Sequence, residues 1–357
     1  MILFQRIAAV AAIILILPHA GIEAKVYQYE FSKIINVEKS LNLTLNNANG
    51  DISIVTNLND ELRIDAIKKI ESDSKEKADL IAGHVRVSIT AADGHFRVIP
   101  EFDEISREST LWEKFFGSSE APSYGWVDFV ISVPVDCNVD ILNAGGRVQI
   151  SGLRGTVAVE NSEGDINISK ISGDVQAICS IGKLILKDIE GCIQVTARDS
   201  DIEFMALVGN LKINCNNGKL SGGNLIGNLE LESSSGDIEL DPIEGDVKIR
   251  SGLGKVIINQ SFGAINIVAG EGDITVRTNL SSSRDYSVET IQGSIEFYIP
   301  EYSNGRISMK SQSGRLDTHV PIAVESFSET EISGTFGSKG PNIMLRTKVG
   351  NILFEEY

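Results

Sequence analysis

Carboxylates are the side chains of this sequence that could do acid–base chemistry. Among the 49 Asp and Glu residues, Asp237, Asp241 and Glu244 lie close together in the sequence and could form a cluster of carboxylates. Enzymes that cleave glycosidic bonds need two carboxyl groups at a defined separation. Most acidic residues here, Asp237 included, instead occupy single positions that recur along a repeat, which explains them without catalysis. We therefore predict no catalytic residue and no enzymatic activity.

The other residue types used in catalysis and metal binding are scattered. His84, His95 and His319 lie outside the regular repeat, and no Gly-x-Ser-x-Gly elbow or phosphate-binding loop is present. No CxxC pair or Cys/His cluster indicates zinc. Calcium-binding nonapeptide repeats carry the phrase GGxGxDxUx, but the glycines at its second and fourth positions are missing here. We predict no metal ion and no cofactor.

Charge and the first residues narrow the cellular setting. The net charge of −17 argues against nucleic-acid partners and against charge-driven binding to anionic membranes. Arg6 is followed by an apolar run over residues 7–17, which is too short for a confident membrane span and resembles a secretory signal. We predict a signal peptide over residues 1–24 and a secreted or periplasmic protein with no later transmembrane span. An uncleaved N-terminal anchor is the alternative.

Glycine recurs every nine residues through the middle of the chain. Only Ser200 interrupts a series made of Gly146, Gly155, Gly164, Gly173, Gly182, Gly191, Gly209, Gly218, Gly227, Gly236, Gly245, Gly254, Gly263 and Gly272. A fixed internal period is the sequence signature of repeat architectures. Each unit reads Gly-x-φ-x-φ, where φ is aliphatic. This alternation predicts a short strand with one buried face.

Alternate units differ, which doubles the period to eighteen residues. One set carries an apolar residue at the eighth position, such as Leu153 or Ile171, and the other carries a small or polar residue, such as Ser162. Each rung then has two strands and two unlike corners, and rungs stack about 4.8 Å apart. We predict an all-β fold, a β-solenoid with two short strands per 18-residue rung. Its regular part covers residues 128–280.

The four cysteines are interpreted through this repeat. Cys179 and Cys215 occupy one column two rungs apart, about 9.6 Å at the usual strand spacing, which is too far for a disulfide. Cys137 and Cys192 show no spacing that indicates pairing. We interpret the two column cysteines as buried thiols that fill space.

A second column of the repeat alternates in charge. The residue after glycine in one set of units is basic and acidic in turn, and these residues are Arg147, Asp165, Lys183, Asp201, Lys219, Asp237, Lys255 and Asp273. Stacked opposite charges are favourable cross-strand pairs, each worth about 0.2–1 kcal/mol. We predict a structural charge ladder. A line of cation-binding carboxylates is the less favoured alternative, because each Asp has basic neighbours.

The flanks break the period. We predict a capping, irregular β segment over residues 25–127, with a short helix over Lys75–His84 and strands around VRVSIT and HFRVIP, and irregular rungs plus a cap over residues 281–357. A Gly/Ser/Pro-bearing loop in the first flank holds a cluster of aromatic side chains. This cluster is a candidate interaction loop or a cover for the open solenoid end, and comprises Trp112, Phe115, Phe116, Tyr124 and Trp126.

The repeated phrases resemble a known bacterial family. NGDISI, ENSEGDINI, KISGDV, SSSGDIEL and KVGNILFEE, together with the Val133-Pro134 strand, are similar to the putative-adhesin family, a domain family of unknown function. The resemblance covers nearly all of the expected mature chain and implies a β-solenoid outside the cytoplasm, with no catalytic residues to carry over. We therefore expect a non-catalytic, structural or adhesin-like module whose partner is an envelope protein or a glycan. A carbohydrate-binding or carbohydrate-active β-helix protein is the alternative.

Overall fold

Strands form most of the molecule. A computed structural model describes residues 24–37, 40–102 and 125–357. The signal peptide expected over residues 1–24 lies almost entirely outside the described residues. In the described ranges, no helix is long and apolar enough to cross a membrane.

The N-terminal part contains seven strands and a helix. They are β1 (Lys25–Asn36), β2 (Leu41–Asn47), β3 (Ile52–Asn57), β4 (Glu61–Ser72), α1 (Lys75–His84), β5 (Val85–Ala92), β6 (His95–Phe102) and β7 (Trp126–Pro134). The helix and the two strands that follow it were predicted from the sequence, and the structure confirms them. The Ser74 side chain caps α1 by accepting a hydrogen bond from the Lys77 amide, 3.3 Å away.

The middle part contains the regular rungs. Their strands are β8 (Cys137–Gly145), β9 (Val148–Ser151), β10 (Val157–Glu163), β11 (Ile166–Ser172), β12 (Val175–Glu190), β13 (Ile193–Val208), β14 (Leu211–Asn217), β15 (Leu220–Ile226), β16 (Leu229–Ser235), β17 (Ile238–Glu244), β18 (Val247–Leu253), β19 (Val256–Phe262), β20 (Ile265–Glu271) and β21 (Ile274–Thr278). β12 and β13 each continue around a corner and supply both strands of their rung.

Parallel pairing with an 18-residue step confirms the β-solenoid. Val157 lies opposite Val139 on one side and Val175 on the other. The second strand of each rung keeps the same step, as between Ile166 and Leu184. Two nine-residue segments therefore make one rung, and successive rungs lie in register over each other.

The core lies between the two strands of each rung. The aliphatic residues of the Gly-x-φ-x-φ units point inward, and Ile166, Ile168 and Leu184 are fully buried. The apolar corner is closed by residues such as Leu153 and Ile171, which are 1–2% exposed. Burial of these side chains supplies the main driving force for stacking, because no rung can cover its inner face alone.

The repeat glycines sit where stacked main chains approach most closely. Gly236 has φ of +129° at the polar corner, and a Cβ there would collide with the carbonyl oxygen of Gly218 in the preceding rung. An L-residue rarely adopts this conformation and would also push the rungs apart. The glycine period therefore marks the corners of the coil.

The N-terminal end of the stack does not follow chain order. β2 pairs in parallel with both β6 and β8, and β3 pairs in parallel with both β7 and β9. The rung made by β2 and β3 is thus inserted between rung β6/β7 and rung β8/β9. Beyond it, β5 pairs antiparallel with β6, β4 with β7, and β1 with β4. Within the expected capping segment, residues 41–57 therefore contribute a rung of the stack.

The C-terminal end repeats this arrangement. Its strands are β22 (Tyr286–Gln292), β23 (Ile295–Ile299), β24 (Gly305–Ser313), β25 (Leu316–Thr318), β26 (Ala323–Phe327), β27 (Glu331–Phe336), β28 (Asn342–Val349) and β29 (Ile352–Glu356). β28 and β29 form a rung between β22/β23 and β24/β25. The antiparallel strands β27 and β26 close one side of this end.

Candidate binding face

Grooves concentrate on one side of the solenoid, which we call the first face. It consists of β2, β6, β8, β10, the first halves of β12 and β13, β14, β16, β18, β20, β22, β28 and β24. Five surface grooves in the described residues are lined mainly by this face. The opposite sheet, the second face, runs from β7 through β3, β9 and β11 to β21, β23, β29 and β25. The outward side chains of the first face therefore define the candidate binding surface.

Asp and Asn side chains at the corners hold the next rung in place by accepting hydrogen bonds from its main-chain amides. At the corner before the first face, the side-chain oxygens of Asn138, Asp174 and Asn228 accept hydrogen bonds from the amides of Thr156, Cys192 and Asp246, over 2.8–3.0 Å. These side chains belong to one row along the edge of the first face, whose positions follow one another every 18 residues. We call it the amide-capping row, and it forms one wall of an axial groove.

The predicted charge ladder lies at the other corner and uses the same kind of hydrogen bond. The carboxylates of the ladder accept amide hydrogen bonds from the next rung over 2.8–3.0 Å, as shown by the pairs Asp51–Arg147, Asp165–Lys183, Asp201–Lys219, Asp237–Lys255 and Asp273–Ser294. Ladder residues of opposite charge thus lie next to each other in successive rungs.

Two ammonium groups of the ladder bind glutamates of the second face rather than the ladder aspartates. Lys183 Nζ lies 2.6 Å from Glu203 Oε2, and Lys219 Nζ lies 3.2 Å from Glu239 Oε2. The hydrogen bond to Glu203 raises the pKa of Lys183. The carboxylates of the ladder are therefore occupied by main-chain amides, which leaves little reason to assign them to a bound cation.

The groove beside the amide-capping row runs along the solenoid axis. This axial groove has a volume of about 690 Å3 and extends from Cys192 to Asp285 over successive rungs. Its second wall is the outward row Gln194, Lys212, Glu230, Lys248, Asn266 and Ser287. Hydrogen-bonding groups thus repeat along both walls at the strand spacing of about 4.8 Å.

An ion chain stiffens the middle of that second wall. The Glu230 carboxylate binds Lys248 Nζ at 2.7 Å and Lys212 Nζ at 3.2 Å. These hydrogen bonds lower the pKa of Glu230. The three side chains hold one another in place along the axis. Gln194 and Asn266, which lie on either side of these three residues, have no side-chain hydrogen-bond partner in the described residues.

The cysteines divide between the core and this groove. Cys137, Cys179 and Cys215 are buried free thiols, and Cys192 is exposed on the amide-capping row. Burial raises the pKa of Cys137 to about 12 and that of Cys215 to about 11. The interpretation of Cys179 and Cys215 as buried thiols is confirmed. Both stay in the unreactive, protonated thiol form at neutral pH.

The carboxylates that could have suggested catalysis are engaged separately. Asp237 caps the Lys255 amide at 2.9 Å, while the Asp241 carboxylate accepts a hydrogen bond from the Asn259 side chain at 2.9 Å. His319 Nδ1 lies 3.0 Å from Glu355 Oε1 at the C-terminal end. In the part of the chain that the structure describes, no group of three or more His, Cys, Asp or Glu side chains is placed to hold a metal ion.

Most of the aromatic candidate loop lies outside the described residues. This applies to Trp112, Phe115, Phe116 and Tyr124. Trp126 begins β7, is partly buried, and lies opposite Lys69 of β4. The proposed role of the loop as a contact surface stays a prediction.

Comparison with known proteins places the chain in a family. A family model described as Toastrack DUF4097 matches residues 4–354. The chain belongs to the Toastrack DUF4097 family. This confirms the resemblance identified from the SGD-φ-x-φ phrases, and the Toastrack family is itself a domain family of unknown function. Sequence comparison with curated proteins finds no match.

Two solved structures are similar to this Toastrack chain. One is a putative cell adhesion protein from Clostridium sporogenes, at 12% identity, with 93% of this chain and 100% of that chain covered and a TM-score of 0.20. The other is a putative adhesin from Bacteroides fragilis, at 11% identity, with 92% of this chain and 97% of that chain covered and a TM-score of 0.24.

Proposed function

We propose that this Toastrack protein is a non-catalytic interaction module of the cell envelope that binds an extended partner along its first face. The axial groove is the observation that supports this proposal. It is open, follows the solenoid axis and presents a polar side chain of the second wall at each rung. An extended protein segment or glycan chain, whose own groups also repeat, matches such a surface better than a compact metabolite does.

The absence of a catalytic role is part of the proposal. The carboxylates of the ladder bind main-chain amides, and Glu230 is held between two lysines. A carboxyl group that acts as a general acid needs a raised pKa, whereas the pKa of Glu230 is lowered. A reducing-sugar release assay tests this point. Turnover of any polysaccharide that is lost on a single Asp or Glu substitution would contradict it.

The secreted or periplasmic location is proposed from the N-terminal sequence. Arg6 and the apolar run that follows it support export. A C-terminally tagged full-length protein, expressed in bacteria and fractionated, should be found outside the cytoplasm with residues 1–24 removed. Recovery of the intact chain from the cytoplasm would contradict export.

A blocked-groove variant tests the contact surface. Asn266→Trp fills one end of the axial groove without removing any side-chain hydrogen bond, and Asn167→Trp makes the same change on the second face. Labelled wild-type protein and both variants are applied to isolated cell envelopes and to a glycan array. We expect Asn266→Trp to lose most of the bound signal and Asn167→Trp to retain it. Equal binding by the two variants would exclude the axial groove as the contact surface.

A further inference from the structure

A second groove follows the polar corner of the first face, where the strands of that face end. We call it the corner groove. Two cavities of about 480 and 360 Å3 form it, and they are continuous because they share Val268, Ala269 and Ile291. The groove thus extends from Asn214 in β14 to Gln312 in β24.

The two halves of the corner groove differ in chemistry. The half nearer the middle of the solenoid is lined by amide and hydroxyl groups, including the exposed Asn214, Asn216 and Ser234. These side chains offer hydrogen-bond donors and acceptors to a ligand that carries hydroxyl groups.

The half nearer the C-terminal end is cationic. Arg346 and Lys348 lie on either side of the buried Thr347 in β28, so that one strand places a cation on each wall of the groove. In the described residues neither forms an ion pair. Lys310 lies beside Arg346 on β24, and two carboxylates flank the row. Glu289 lies opposite Arg346, and Glu331 is 3.4 Å from Lys310.

Like charges stacked on neighbouring strands are unfavourable in a sheet. Arg346 and Lys310 are direct neighbours across β28 and β24, and Lys310 is ion-paired with Glu331. In a chain of net charge −17, Arg346 and Lys348, which form no ion pair in the described residues, are a local site for an anion. A guanidinium and an ammonium on opposite walls match a carboxylate, which arginine binds with two parallel hydrogen bonds.

We propose that the corner groove binds an acidic oligosaccharide. Arg346 and Lys348 hold a sugar carboxylate, and the amide and hydroxyl half of the groove binds the hydroxyls of neighbouring sugars. Ser234 in β16 and Lys348 in β28 are four rungs apart, about 19 Å at the usual strand spacing, so the ligand is a chain of several sugars rather than one. This inference rests on the proposed function in taking the first face as the contact surface, and it adds the chemistry of the ligand.

Calorimetry with tetragalacturonate as the probe tests the proposal. Its methyl ester keeps the hydroxyls and removes the charge. We expect the acid to bind the wild-type protein and the ester to bind at least tenfold more weakly. Arg346→Gln and Lys348→Gln should each weaken binding of the acid about tenfold, the effect of losing a charged hydrogen bond. Lys187→Gln, an exposed lysine on the second face, should have no effect. Circular dichroism melts check that the variants fold.

The remaining outcomes overturn the proposal. These are no binding of the acid, equal binding of acid and ester, or equal losses in Lys348→Gln and Lys187→Gln. Tighter binding of a tetraglutamate peptide than of tetragalacturonate would show that the occupant is an acidic peptide and would also overturn it. If these tests fail while Asn266→Trp still abolishes envelope binding, the proposed function stands and only the ligand chemistry is wrong.

Discussion

At the scale of single residues, the hydrogen bonds accepted by Asp or Asn at the corners explain why Gly-Asp recurs. The glycine allows the neighbouring main chain to approach, and the Asp or Asn then accepts the amide of the next rung. Asn228 does at one corner what Asp237 does at the other. The common requirement is a short side chain with an acceptor oxygen, and negative charge is secondary.

Substitutions at Asp237 test this distinction. We expect Asp237→Ala to lower the free energy of unfolding by about 1 kcal/mol, because the hydrogen bond from the Lys255 amide is lost. Asp237→Asn keeps the acceptor oxygen and should cost much less. Urea denaturation followed by circular dichroism measures both. Equal losses for the two variants would show that the charge, and not the acceptor, stabilises the stack.

Because its thiols are buried, we expect the folded protein to lose stability at alkaline pH. Burial raises the pKa of Cys215 to about 11 from an ordinary value of 9.0. The folded protein therefore holds this proton more tightly than the unfolded chain does. The contribution is fully present below pH 9 and is lost as the pH rises through 11.

Thermal melts from pH 7 to 11 measure this loss. Cys215→Ser introduces the residue type that already occupies the same column at Ser233 and Ser251, and it should flatten the fall in Tm above pH 9. Cys192→Ser, at the exposed cysteine, should leave the profile unchanged. If the profiles of the wild-type protein and the Cys215→Ser variant coincide, the thiol does not contribute.

At the scale of elements, the sequence predicted what is local or periodic. Helix α1 was predictable because Ser74, Glu76 and the apolar Ile81 lie within one short segment. The regular rungs were predictable because their period is read directly from glycine. Insertion of β2/β3 and of β28/β29 was not predictable, because β2 pairs with β8 across an insert that carries no period. The grooves were also missed, since their shape depends on which outward rows carry long side chains.

Hydrogen exchange should follow this arrangement of elements. The fully exposed edge strand β26 pairs only with β27, whereas β12 and β13 pair on both sides and are packed against the core. Amides in poorly packed edge elements open at low free energy. We therefore expect peptides from β26 to exchange first and those from β12 and β13 last, as measured by mass spectrometry. Early exchange in β12 would contradict the continuous core.

At the scale of the whole molecule, stability is a sum over stacked rungs and their interfaces. Core contacts lie within a rung or with the rungs next to it, so one rung can replace another only if the two unlike corners keep their order along the chain. The phase is set by eighteen residues and not by nine, because Leu153 and Ile171 close one corner while Asn143 and Asn161 are buried at the other.

Deletions of one rung and of half a rung separate these periods. Removing residues 147–164 joins equivalent positions and should leave a cooperative thermal transition with a modestly lower Tm. Removing residues 147–155 moves every later strand to the opposite face and stacks apolar corners on polar ones, so the cooperative transition should disappear. Thermal melts followed by circular dichroism at 218 nm distinguish the two periods. Similar transitions in the two deletion variants would argue against an 18-residue unit.

The inserted rungs also determine how the molecule would bear tension. A strand at a sheet edge peels away by losing its hydrogen bonds one after another, whereas β28 and β29 are held from both sides. A pull applied to the chain beyond β29 must shear two parallel interfaces at once. At the opposite end, β1 is paired with β4 alone, but a pull that has detached it then meets β2 and β3, which are also held from both sides. The inserted rungs therefore raise the force needed to unravel the coil from either end.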